Sequence, residues 1–103
     1  MTQPAAAQVR YTAASGVATL TLDSPHNRNA LSARLMSQLL AGLSRAADDD
    51  SVRVVVLTHT GPVFCSGADL KATAEAEDAG GLPVGGIPEV LDAIWRLPKP
   101  VVA

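Results

Sequence analysis

Residues 32–57 read SARLMSQLLAGLSRAADDDSVRVVVL. Leu35, Met36, Leu39, Leu40, Leu43 and Ala47 recur at helical spacing, while Arg34, Ser37, Gln38, Ser44 and Arg45 take the other side. Ser32 offers an N-cap hydroxyl. The carboxylates of Asp48, Asp49 and Asp50 oppose continuation at the negative end of the helix dipole. The unbroken run Val54-Val55-Val56-Leu57 then suits a strand buried on both faces, as in a parallel sheet.

Upstream, Ser15-Gly16 interrupts two stretches rich in Val, Thr and Leu, so Val9 to Asp23 is predicted to be a hairpin. Ala18, Leu20 and Leu22 share one face of its second strand, and Val17, Thr19 and Thr21 the other. A loop, DSPHNRN at 23–29, joins this strand to the helix. Strand, helix and strand in that order imply a right-handed crossover unit and an α/β fold.

Downstream, Pro88 suits the first turn of a second helix, whose apolar face is Val90, Leu91, Ile94, Trp95 and Leu97. Trp95 is expected to pack in the core there, and Pro98 and Pro100 end the helix. Residues 72–86, rich in Gly, Ala and acids, are expected to form a mobile loop and candidate lid, with a short helical turn at Ala72 to Glu77. Residues 1–8 are expected to be disordered. Val101-Val102-Ala103 reads as the opening of a buried strand, which gains little unless more sheet follows. The 103 residues are therefore expected to be the N-terminal part of one domain.

Composition excludes several classes. Hydrophobic residues at 48% against 17% charged place the chain among globular proteins. With 3% aromatic residues, the core must be built mainly of Ala, Val and Leu. A net charge of -2 with scattered Lys and Arg offers no stripe for nucleic acid. The first eight residues lack the charged and apolar regions of a signal peptide, and no apolar run approaches the roughly 20 residues of a membrane span. A cytoplasmic protein with neither nucleic-acid nor membrane partner is expected. Cys65, the single cysteine, allows no internal disulfide and reads as a buried inert thiol. His26 and His59 are read as loop residues without a second ligand at metal-binding spacing.

The chemistry is expected in Gly61 to Lys71, GPVFCSGADLK, which follows a buried strand at the edge where open α/β sheets bind ligands. Ser66, Gly67 and Ala68 are small enough to let another molecule approach the backbone. If a helical turn begins at Ala68, its free N–H groups can hold an anion. Spacing alone leaves this open beside an ordinary strand-to-helix junction containing glycine. Asp69 is read as a brace for the turn. Glu75 and Glu77 are read as solvated loop charge.

The runs Asn29-Ala30-Leu31, Val54-Val55-Val56-Leu57-Thr58, Phe64 through Lys71 and Lys99-Pro100-Val101-Val102-Ala103 together resemble the crotonase (enoyl-CoA hydratase/isomerase) family, from about Val9 onward. The resemblance implies a spiral of strand-strand-helix units, incomplete in this chain, assembled as homotrimers or dimers of trimers. It implies an acyl-CoA substrate, with coenzyme A belonging to the substrate and no resident cofactor or metal. Carried over by position, the Ala68 N–H is one oxyanion-hole donor. The backbone of Ser66, Ala68 and Leu70 lines the adenine pocket with Gly67 and Asp69 in the same segment, and Arg28 and Lys71 lie near the CoA phosphates. The second donor, a glycine, and the two glutamates of the hydratases are expected beyond Ala103. Hydration of a trans-2-enoyl-CoA is the leading expectation. Isomerisation or hydrolysis on the same scaffold, and a noncatalytic CoA-binding or assembly fragment, are the alternatives.

Overall fold

The computed structural model describes residues 7–67 and 86–103. Strands β1 (Val9–Ala14) and β2 (Val17–Leu22) pair antiparallel, with Ala14 opposite Val17. Ser15 and Gly16 between them both carry positive φ, 52° and 82°, the geometry that lets a two-residue turn follow the twist of its strands. A short 3-10 turn, Pro25–Asn27, leads to helix α1 (Ala33–Asp48), followed by β3 (Val54–His59), α2 (Ile87–Arg96) and β4 (Val101–Val102). The sheet order is β1-β2-β3-β4, and both β2–β3 and β3–β4 run parallel.

Ser32 caps α1 as its side chain suggests, its Oγ accepting from Leu35 N at 3.1 Å. Leu35, Met36, Leu39 and Leu43 bury against Ala18, Leu20 and Leu22, the face that strand alternation had singled out. Full burial of each leucine contributes about 1.5–3 kcal/mol. The stripe differs from expectation at its end, where Ala46 is buried and Ala47 only half-buried. Gly42 is buried too, so close to Leu20 that a Cβ would meet its Cδ2 at 2.5 Å. A tertiary contact completes the C-terminal end of α1. Lys99 Nζ donates to the carbonyls of Ala46 and Asp49, both at 2.7 Å, placing a cation where the helix dipole is negative.

Three other expectations need correction. In β3 only Val55 is buried, while Val54, Val56 and Leu57 are half-buried, because helical cover among the described residues lies on one face of the sheet. Trp95 is 88% exposed and Leu91 60% exposed. Helix α2 reaches the core through Val90, Ala93, Ile94 and Leu97, and these two residues, one turn apart, form a second apolar stripe beside that contact. Gln8, assigned above to a disordered tail, donates its backbone N–H to Gln38 Oε1 at 2.7 Å and accepts from Asp23 N at 2.8 Å. The loop and helical turn expected from residue 72 lie outside the described residues up to 85. Gly86 stands at the N-cap position of α2. Among the described residues no helix is long and apolar enough to cross a membrane.

Leu43→Ala, at a position 1% exposed, should destabilise the fold by about 2–5 kcal/mol. Ser32→Ala, which removes one cap bond, should cost about 1 kcal/mol. Urea denaturation midpoints should fall in that order.

Candidate functional site

Because β2 and β3 are parallel, with Leu22 opposite His59, the loops following them leave the same edge of the sheet side by side. The first loop runs over residues 23–31 and the second over residues 60–67. Their backbones are joined directly. Thr60 N donates to Leu22 O at 2.9 Å, Ser66 N to Arg28 O at 3.0 Å, and Leu31 N to Gly67 O at 2.8 Å. Gly61 lies so close to Pro25 that a Cβ would sit 2.9 Å from the proline ring, and its φ of 76° favours glycine independently.

Between the loops lies the side chain of Asn29, which is 0% exposed. Its Oδ1 accepts from Ser24 N at 2.7 Å, and its Nδ2 donates to Thr60 O at 3.2 Å and Val63 O at 2.9 Å. Both amide protons and the carbonyl oxygen are thereby used. The opposite amide orientation would set NH₂ against an N–H and an oxygen against two carbonyls, so the partners dictate the assignment. Arg28 and Asn29 hold φ of 58° and 55°, a left-handed pair that turns the chain back onto the second loop. Asn tolerates this region better than most residues because its side chain bonds locally.

Asp23 and Thr60 make a second tie, Thr60 Oγ1 donating to Asp23 Oδ1 at 2.7 Å. Arg10 also bonds and pairs with the same carboxylate. The Thr60 hydroxyl and then the Arg10 guanidinium hold the Asp23 carboxyl below its ordinary range, against the opposing effect of desolvation. Asp49 is likewise lowered, by the hydroxyl and backbone N–H of Ser51.

Of the residues that the sequence nominated, the structure brings three together. Arg28, exposed, and Ser66, also exposed, meet through their backbones, and Gly67 follows with φ of 98°. A Cβ on Gly67 would meet no described residue within 4 Å. Ala68, Asp69, Leu70 and Lys71 lie outside the described residues. Cys65 is half-buried rather than buried, because it sits on the loop, where its Sγ accepts from Gly67 N at 3.4 Å. His59 ends β3 instead of standing in a loop, its ring edge-on to Phe64 at 5.2 Å with a buried Nδ1 that has no hydrogen-bond partner among the described residues. Among the described residues no group of three or more His, Cys, Asp or Glu could hold a metal ion. Cavities of about 290 Å³, between α1 and α2, and 250 Å³, between the hairpin and α1, take no residue from either loop.

Sequence reasoning missed Asn29 and Asp23 as parts of the site. Asp23 was read only as part of a turn-rich stretch and Asn29 only as that and as the start of the run Asn29-Ala30-Leu31, and three of the four bonds that matter reach more than 30 residues along the chain.

The strand-strand-helix unit is that of the crotonase fold, which its structural neighbours share. The family model described as Enoyl-CoA hydratase/isomerase matches residues 12–103, and the chain belongs to that family. A Mycobacterium leprae (strain TN) protein named "Probable enoyl-CoA hydratase echA12" is 44% identical over 95 residues, covering 84% of this chain and 32% of that protein. A Rhodobacter capsulatus protein, "Probable enoyl-CoA hydratase", is 38% identical over 92% of this chain and 37% of its own length. Among solved structures, an enoyl-CoA hydratase from Mycobacterium marinum superposes with a TM-score of 0.84 at 31% identity, covering 92% of this chain and 46% of that one. An enoyl-CoA hydratase/isomerase from Xanthobacter autotrophicus Py2 gives 0.77 at 30% identity, covering 92% and 37%. The chain spans about a third of the length of these curated relatives.

A carboxylate whose folded pKa is depressed contributes stability above its unfolded value, near 4, and loses that contribution as pH falls through the folded value. Stability should therefore decline as pH drops below about 4. Asp23→Asn should flatten part of that acid limb while leaving the share of Asp49, as measured by chemical denaturation from about pH 6 to about pH 2.

Proposed function

We propose that this chain contributes one half of an oxyanion hole to an enzyme acting on acyl-CoA thioesters, and that the reaction is addition of water to a trans-2-enoyl-CoA. Family membership and the names of the relatives support the reaction class. The observation that carries the site assignment is the tether on Gly67. Its carbonyl is held by Leu31 N at 2.8 Å, at the carboxyl edge of parallel strands and with no described residue crowding its Cα.

A trans peptide unit is planar, with its N–H opposed to its C=O. An anchored Gly67 carbonyl would thus give direction to the amide that follows, that of Ala68. When a nucleophile adds to an enoyl thioester, negative charge grows on the thioester oxygen. A fixed N–H stabilises that developing charge more than it stabilises the neutral carbonyl, and this difference accelerates the reaction. The same enolate serves isomerisation, so the reaction is decided by whichever groups move the protons.

The proposal extends to the rest of the ligand. The backbone of Ser66, Ala68 and Leu70 would line the adenine pocket, with Gly67 and Asp69 in the same segment, and Arg28 and Lys71 would lie near the CoA phosphates. Coenzyme A would enter and leave as part of the substrate, with no resident cofactor. The working unit would be a homotrimer or dimer of trimers in the cytoplasm.

The donor is a backbone group, so Ala68→Gly should leave turnover of trans-2-enoyl-CoA near the parent rate. Ala68→Pro removes the N–H and should lower kcat about a hundredfold or more, equivalent to about 3 kcal/mol. The 103-residue chain alone is expected to be inactive, so steady-state kinetics on the two variants of the full-length protein decide it, and parental kcat in full-length Ala68→Pro would refute the donor assignment.

A further inference from the structure

We propose that Asn29 is a positioning residue, which holds the Thr60–Gly67 loop in the geometry that catalysis needs through its side-chain amide. The inference rests on the oxyanion reading above and deepens it. Four bonds from residues 28–31 hold this loop. Two are the Asn29 Nδ2 contacts to Thr60 O and Val63 O, and two are the backbone contacts Ser66 N to Arg28 O and Gly67 O to Leu31 N. The backbone pair is itself oriented by the left-handed φ values of Arg28 and Asn29. Asn29 therefore acts twice, holding the start of the loop with its side chain and presenting its neighbours' backbone to the end.

The chemistry of the position is specific. Aspartate matches asparagine in shape and keeps the acceptor for Ser24 N, but as a carboxylate it has no proton to donate and would set negative charge against two carbonyl oxygens. Glycine deletes the amide while relieving the backbone, since positive φ costs it nothing. Asn29→Gly thus separates the side-chain contribution from backbone strain, and Asn29→Asp separates donation from shape.

A structural role alone would lower thermal stability and leave the folded enzyme's kcat untouched. A positioning role lowers kcat in the folded protein. Displacement of a reacting group by about an ångström costs about a hundredfold in rate.

The test measures both variants, made in the full-length protein, beside its full-length parent by circular dichroism, by kcat and KM for a trans-2-enoyl-CoA, and by the ultraviolet absorption of a bound conjugated enoyl-CoA. Polarisation of the thioester carbonyl moves that band to longer wavelength. Whichever variant retains the parent's circular dichroism should lose about a hundredfold in kcat, keep KM within about threefold and lose most of the band shift. A folded variant with parental kcat and band shift would overturn the inference and leave the functional reading standing. A parent that neither turns over the thioester nor shifts its band would instead remove the functional reading itself.

Discussion

Two loops leave the carboxyl edge of the sheet side by side, and one buried carboxamide lies between them. Asn29 meets the backbone of Ser24, Thr60 and Val63, with no donor or acceptor left over. A buried polar group deprived of its partner costs about 1–3 kcal/mol, so removing this amide would leave one N–H and two carbonyls each looking for water in a closed space. The sheet can form from its own hydrophobic pattern. The relation between its loops depends on this side chain.

That dependence explains why conformations usually avoided are concentrated here. Arg28 and Asn29 take left-handed backbone angles, Gly61 and Gly67 take positive φ, and Gly61 presses against Pro25. Each is unfavourable or restrictive alone. They persist because the bonds between the loops over-determine the local geometry, as happens where a binding site requires backbone groups to point away from ordinary secondary structure. The Asp23–Thr60 bond fastens the same two strands just inside the loops.

The far end of the unit is closed by another long-range contact. Lys99 joins the last carbonyls of α1 to the segment entering β4, so the helix and the parallel pair β3–β4 are tied at the edge opposite the loops. Helix α2 docks on α1 through a narrow set of side chains and leaves Leu91 and Trp95 outward. Apolar spacing had counted both residues as core because it records which side of a helix they share, not how far the neighbouring element extends.

Hairpin, helix, parallel strand and N-cap were all legible in the residues themselves, because turn angles, side-chain alternation and capping act over a few positions of the chain. The motif through Gly67 was legible as well, and with it the family. The loop-to-loop ties were not. Asn29 reads locally as one more turn residue, and Lys99 as one more exposed cation. Their partners lie 31 and 34 residues away for Asn29, and 53 and 50 for Lys99, so only folding brings donor and acceptor within hydrogen-bond range. Local patterning determined which elements exist. Tertiary structure decided which backbone groups those elements hold in place, since a hydrogen bond requires proximity and proximity across such separations is a property of the folded chain.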